Sequence, residues 1–143
     1  MMKHALSLLL LVWAGTAAAQ TPANGTLEVE LAGVRNATGK LRLSLYRAED
    51  AFRKEAQAFR VLAVLAQPGK ALLRFEDLPA GRYALMAYHD ENANDKLDLR
   101  LGMFPLEGYG LSNNPKVFGP PAFADSAFDQ PATGGRISVQ LKY

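Results

Sequence analysis

The chain contains no cysteine, so disulfides and thiolate metal ligands are both excluded and stability has to come from packing alone. Histidine is nearly absent too, with only His4 and His89. A zinc enzyme usually draws three ligands from histidine, cysteine and carboxylates, and this inventory does not support one. Charge of one sign is also lacking: 16 basic against 14 acidic side chains leave a formal net charge of +2. Without a basic run there is nothing to track a phosphate backbone, which excludes nucleic acid as a partner. No G-x-S-x-G elbow is present, since Ser112 sits in Gly110-Leu111-Ser112-Asn113-Asn114, and no phosphate-cradling glycine loop or dinucleotide fingerprint occurs. His89, directly before Asp90 at a strand end, reads as a structural imidazole. Glu107 and Asp125 would suit a glycosidase-type acid and base only at the right separation. No catalytic residue is assigned, and no enzymatic activity is expected.

Long apolar runs are confined to the N-terminus. Lys3 is followed by an apolar stretch from Ala5 to Ala14 and then by Ala17-Ala18-Ala19, the order of a secretory signal with an A-x-A cleavage site. Cleavage after Ala19 is expected, leaving residues 20–143 as a single exported domain, periplasmic or secreted. The stretch is too short for a permanent span, which needs roughly 20 apolar residues. With no cysteine after the cleavage site, a lipoprotein anchor is not expected either. Loss of Lys3 lowers the formal charge from +2 to +1.

Period-two patterning dominates the rest. Leu27, Val29 and Leu31 alternate with Glu28 and Glu30, and Leu41, Leu43 and Leu45 alternate with Arg42 and Ser44. Each run reads as a half-buried strand, and the polar Asn36–Gly39 turn between them predicts a hairpin. Residues 48–58 favour a short helix or turn anchored by Phe52 and Phe59. Runs at 59–66 and 71–75 flank Gln67-Pro68-Gly69-Lys70 and predict a second hairpin. Tyr83 to Asp90 and Arg136 to Leu141 supply two further strands. The span from Glu91 to Gly135 holds most of the glycine, proline and asparagine, yet carries Phe104, Tyr109, Phe118, Phe123 and Phe128, too aromatic for simple disorder. Short strands, little helix and no fixed repeat predict a mainly β, antiparallel β-sandwich with one short helix and a long aromatic loop before the last strand; a small open barrel is the alternative.

Two segments carry a resemblance. Phe75-Glu76-Asp77-Leu78-Pro79-Ala80-Gly81-Arg82-Tyr83 resembles the F-x-x-L-P-x-G-x-Y turn of transthyretin-like and carboxypeptidase regulatory-like sandwiches. Ala87 to Asp98, with Gly108-Tyr109-Gly110-Leu111-Ser112-Asn113-Asn114, Phe118 to Phe123 and Ala127-Phe128, is similar to the exported bacterial family called domain of unknown function 2141. That likeness covers the whole chain after the signal. It implies an architecture and a compartment, and no activity. The family's acidic loop reads N-G-N-G, whereas Ala93 and Asp95 stand at the glycine positions here.

Asp90, Asn92, Asn94 and Asp98 stand at relative positions 1, 3, 5 and 9, with the Lys96 carbonyl at position 7. Alternate oxygens of a tight loop suit calcium, as in an EF-hand, but Asp95 replaces the position-6 glycine and Leu101 the position-12 carboxylate. The other reading makes the Asp and Asn side chains turn formers. The aromatic span likewise has two readings: a mini-core pinned on the sandwich, or a ligand or partner surface built on Tyr109, Asn113, Asn114, Phe118 and Phe123. The expected function is an exported noncatalytic binding or adhesion-like module for an unknown protein or small molecule, with calcium as a possible brace. A structural accessory domain of an envelope assembly is the alternative, and a small hydrolase stands behind both.

Overall fold

The computed structural model describes residues 23–116 and 118–143; the expected signal segment, residues 1–19, lies outside the described residues. Among the described residues ten strands form: β1 Gly25–Val34, β2 Lys40–Arg47, β3 Arg60–Leu65, β4 Gly69–Leu78, β5 Gly81–Asp90, β6 Leu99–Arg100, β7 Phe104–Pro105, β8 Tyr109–Leu111, β9 Ala127–Gln130 and β10 Gly135–Gln140. One helical turn, α1 Phe123–Ser126, precedes β9, and a 3-10 turn covers Glu55–Gln57. With 52% of the described residues in strands and 6% in helix, the fold is mainly β, as the alternation predicts.

Two sheets pack face to face. The smaller has the order β10-β1-β4, with β10 parallel and β4 antiparallel to β1. The larger runs β3-β2-β5-β8, and β9 continues the β8 edge along the first half of β5. The core lies between them: Leu27, Val29 and Leu31 of β1 meet Leu43 and Leu45 of β2, Phe75 of β4, Leu85 of β5 and Val139 of β10, each at most 1% exposed. Such burial contributes on the order of 1.5–3 kcal/mol per large side chain, which is how a chain without disulfides holds two layers together.

The two expected hairpins do not form. β1 pairs with β10 and β4, β2 pairs with β3 and β5, and β3 and β4 belong to different sheets. Alternation tells which face of a strand is buried but not which strand lies beside it. The connections after β1, β3 and β4 carry the chain across the core, so the leucines of β1 face those of β2 instead of sitting next to them. The turn after β4 does pack as its residues predict: Phe75, Leu78 and Tyr83 are buried, and the Tyr83 hydroxyl donates to the Pro79 carbonyl at 2.8 Å.

Along one edge the sheets join. Tyr109 of β8 and Lys142 exchange both backbone hydrogen bonds at 2.9 Å. Gly110 makes this approach possible, because a Cβ there would lie 2.5 Å from the Gln140 carbonyl oxygen. The span 91–135 thus carries β6 to β9 and α1, and it folds back over the outer face of the larger sheet.

A covered cavity and an acidic loop

Position by position, β2 and β5 place Tyr46 beside Ala84, Ser44 beside Met86 and Arg42 beside Tyr88; β8 adds Leu111 beside Met86 and Tyr109 beside Tyr88. Since Leu41, Leu43 and Leu45 point into the core, this second set faces outward. An outward sheet face bearing Met, Tyr and Leu needs cover. It is partly covered by the returning chain at 95–105 and 119–121 and by the 3-10 turn, which leave a half-open cavity of about 860 Å³. That falls within the range of roughly 300–1,000 Å³ usual for small-molecule sites. Its walls are mostly apolar, with Met86, Leu97, Met103, Phe104, Leu111 and Pro121 prominent.

The floor is polar and internally paired. Arg42 donates through Nε and Nη2 to Glu55 and through Nη1 to Asp95 at 2.7 Å. The second Glu55 oxygen accepts from the Ser44 and Tyr88 hydroxyls, each at 3.1 Å. Hydrogen bonding to Glu55 holds Arg42 protonated beyond its ordinary range. Burial, reinforced by Glu55, pushes the Tyr88 phenol up, and burial raises Tyr46 to about 12. At neutral pH these phenols are therefore hydrogen-bond donors. At one end Phe52 meets Tyr46 edge-on at 5.2 Å and Phe123 at 6.0 Å.

The acidic loop begins where β5 ends. Asp90 is fully buried, and its carboxylate accepts the backbone N–H groups of Asn94 at 3.1 Å and Asp95 at 2.9 Å. Asp98 accepts from Asn92 at 2.6 Å and from Asn94 at 2.9 Å. The Asn94 side-chain oxygen accepts the Lys96 N–H at 3.0 Å, and the Lys96 side chain is exposed beside the cavity. Glu107 binds both ends of the loop, accepting from Glu91 N–H at 3.0 Å and Asp98 N–H at 3.1 Å. Ala93 and Asp95 lie at φ 56° and 60°, the left-handed region where the family's glycines cost nothing.

The five residues expected as a partner surface are dispersed. Tyr109 lines the cavity and also a hollow of about 110 Å³ that it shares with Asn114 and Lys116. Asn113 donates to the Ala127 carbonyl at 2.8 Å, and Asn114 joins the Ser138 carbonyl at 3.1 Å to the Gln140 N–H at 2.8 Å. Phe123 packs edge-on against Phe52, and Phe118 is fully exposed. The expected aromatic mini-core exists only in part: Phe128 packs on Tyr83 at 6.5 Å, whereas Phe104 stays 57% exposed. His89 is fully buried, with Nε2 donating to the Thr38 carbonyl and Nδ1 accepting from the Tyr143 hydroxyl, both at 2.7 Å. Asp125 accepts from Ala122 N–H at 2.8 Å.

Sequence reasoning missed Arg42, Ser44, Tyr46, Glu55, Met86 and Tyr88 as a group. The available signal was that both faces of β5 are apolar, Tyr83, Leu85 and Ala87 on one and Ala84, Met86 and Tyr88 on the other. A strand apolar on both sides is covered on both.

Fold and site together define a small β-sandwich whose larger sheet carries a half-open, mostly apolar cavity on its outer face. Residues 29–138 match the family described as "Uncharacterized protein conserved in bacteria (DUF2141)", and the chain belongs to that family, as the motifs predict. Comparisons with curated proteins and with solved structures gave no match.

Proposed function

We propose that this protein is a noncatalytic binding module that takes a small, largely apolar ligand into the cavity over the larger sheet, in the exported compartment predicted by its N-terminal segment. The observation that supports this reading is an 860 Å³ space with apolar walls over a floor whose charges are already paired. A ligand entering it releases apolar surface from water without stripping an unpaired charge on the floor, while Arg53 and Lys96 stay at the open rim, the balance that favours association. The Tyr88 and Ser44 hydroxyl oxygens, whose protons go to Glu55, keep lone pairs that can accept a hydrogen bond from its polar end.

The test is titration with the apolar fluorophore N-phenyl-1-naphthylamine. Val61 lines the cavity from β3 and is 38% exposed, so Val61→Trp fills the space at little risk to the core. Saturable binding that weakens at least about tenfold in this variant, roughly 1.4 kcal/mol, with an unchanged melting temperature, is the expected result. Absence of saturable binding, or binding indifferent to Val61→Trp, removes the reading.

Calcium as a brace for the acidic loop is a subordinate part of the proposal. It rests on the spacing of Asp90, Asn92, Asn94 and Asp98; the Asn92 and Asn94 amides donate their N–H groups to Asp98, so an ion there would have to turn both amides over to gather their oxygens. A higher melting temperature in millimolar calcium than in chelator, lost in Asp98→Ala, is expected. Coincident curves would make the loop a turn held by Asp90 and Glu107 alone.

A further inference from the structure

The hairpin of β6 and β7 presents its apolar side chains to solvent. Leu99, Leu101, Met103, Phe104 and Leu106 are 43%, 79%, 66%, 57% and 61% exposed, five large apolar residues in eight. Pairing of Leu99 with Pro105 and of Arg100 with Phe104 puts apolar groups on both faces of the ribbon. A surface meant for one docked protein would be apolar on the docked side only. At the tip, Leu101 holds φ 54°, a left-handed conformation that a leucine adopts at a cost and that glycine or asparagine would relieve. Folding alone gives no reason for a bulky, exposed leucine there.

The exposed unpaired charge beside the tip is basic. Of the acids near it, Glu55 is paired with Arg42, Asp95 is shared by Arg42 and Lys40, and Asp98 and the buried Glu107 at the base of the hairpin are taken up by hydrogen bonds of the acidic loop. Among the described residues, Arg53, Lys96 and Arg100 take part in no ion pair, and the first two border the same cavity mouth as Met103 and Phe104. An apolar tip inside a collar of unpaired cations is complementary to an anionic bilayer, where the aliphatic groups enter the acyl boundary and the cations stay among the headgroups.

We propose that the β6–β7 hairpin docks on anionic lipid bilayers, inserting Leu101 and its apolar neighbours with Arg53, Lys96 and Arg100 at headgroup level. A second copy of the chain is the less favoured occupant. A stable protein interface uses roughly 20–30 residues a side, and this tip offers eight, whereas a bilayer requires no complementary pocket. The inference goes beyond cavity binding, and it can be tested apart from it because Leu101 and Leu106 do not line the cavity.

Trp13 is the only tryptophan, so in the full chain carrying Trp13→Phe, Leu101→Trp reports from the tip alone. This matters because the N-terminal apolar stretch can itself hold the chain on vesicles. On phosphatidylglycerol vesicles, Trp at 101 is expected to shift its emission to shorter wavelength and to be quenched by brominated acyl chains, with both effects weakened by Arg100→Glu and on phosphatidylcholine vesicles. Leu106→Trp serves as a second reporter should the first variant fold poorly. Leu65→Trp, at a comparably exposed leucine on β3, is the control for tethering and is expected to stay unquenched. Equal quenching at 65 and 101, or none at both 101 and 106, overturns the proposal. So does a concentration-dependent shift without lipid, which would make the tip an interface between copies.

Discussion

At Leu101 the backbone and the side chain oppose each other: the residue sits at φ 54° with 79% of its surface exposed, so left-handed strain is not offset by packing. Asparagine accepts that conformation more readily, and Leu101→Asn is expected to raise stability by about 0.5–1 kcal/mol in urea unfolding, a fraction of the ~1–2 kcal/mol that a left-handed L-residue costs, while abolishing bilayer docking. Glu55 presents the reverse case. It takes donors from Arg42, Ser44 and Tyr88, and Glu55→Gln leaves Asp95 as the only carboxylate paired with Arg42. The Arg42 and Glu55 side chains remain 15% and 24% exposed, so the expected loss is about 1 kcal/mol, well below the ~3–5 kcal/mol for breaking a fully buried pair. Denaturant midpoints measured with Ser44→Ala as the comparison check this. Half of this floor was legible beforehand: Arg42 and Ser44 alternate with core leucines and so had to face outward. Glu55 was not, because it arrives from a separate turn, and nothing in residues 48–58 says which sheet face that turn covers.

Strands were far more legible than their partners. β1, β2, β5 and β10 follow from period two, since each must bury one row of side chains, but both expected hairpins fail because the short connections after β1 and β3 cross between sheets. The two-residue strands β6 and β7 and the three-residue β8 are below the length at which alternation can be recognised. In the sequence they merge into one long aromatic loop, which hides the cover of the cavity with them. In the acidic loop the spacing of Asp90, Asn92, Asn94 and Asp98 did predict a cluster, while Glu107, which holds its two ends, lies too far along the chain for spacing to reveal. β8 supplies a further prediction. A Cβ on Gly110 would meet the Gln140 carbonyl oxygen at 2.5 Å and the Val139 side chain at 2.8 Å. Gly110→Ala is therefore expected to cost about 1–3 kcal/mol, the usual range for overpacking, and to speed amide exchange at Tyr109 and Lys142 before the β1–β4 ladder is affected. Exchange at both that stays as slow in the variant as in the parent would show that this joint tolerates a Cβ at position 110.

For the molecule as a whole, the joint between the sheets is partly electrostatic. Arg35 follows β1 of the smaller sheet and Glu91 follows β5 of the larger, and they meet through two hydrogen bonds of 2.6 Å, with Asn36 adding one of 3.0 Å. The Arg35 guanidinium also lies 4.3 Å from the centre of the Tyr143 ring, whose hydroxyl reaches His89. Hydrogen bonding to Arg35 holds the Glu91 carboxyl below its ordinary value of 4.5. A carboxylate whose folded-state pKa is depressed contributes stability that is fully present above the unfolded value and is lost as pH falls through the folded one. Glu28, lowered by Arg136 and Arg74, acts in the same window but within the smaller sheet. The melting temperature is thus expected to decline as pH falls below about 4.5, and Glu91→Gln, which has no proton to take up, is expected to lower the plateau near neutral pH and flatten part of that decline. Arg35→Met, which leaves Glu91 ionisable but without its guanidinium, should flatten it as well, and Glu28→Gln should add to either change because the two carboxylates share no partner. A melting profile as steep in Glu91→Gln as in the parent would place the acid sensitivity on the Glu28 cluster and leave the sheets joined by packing and by the Tyr109–Lys142 pair.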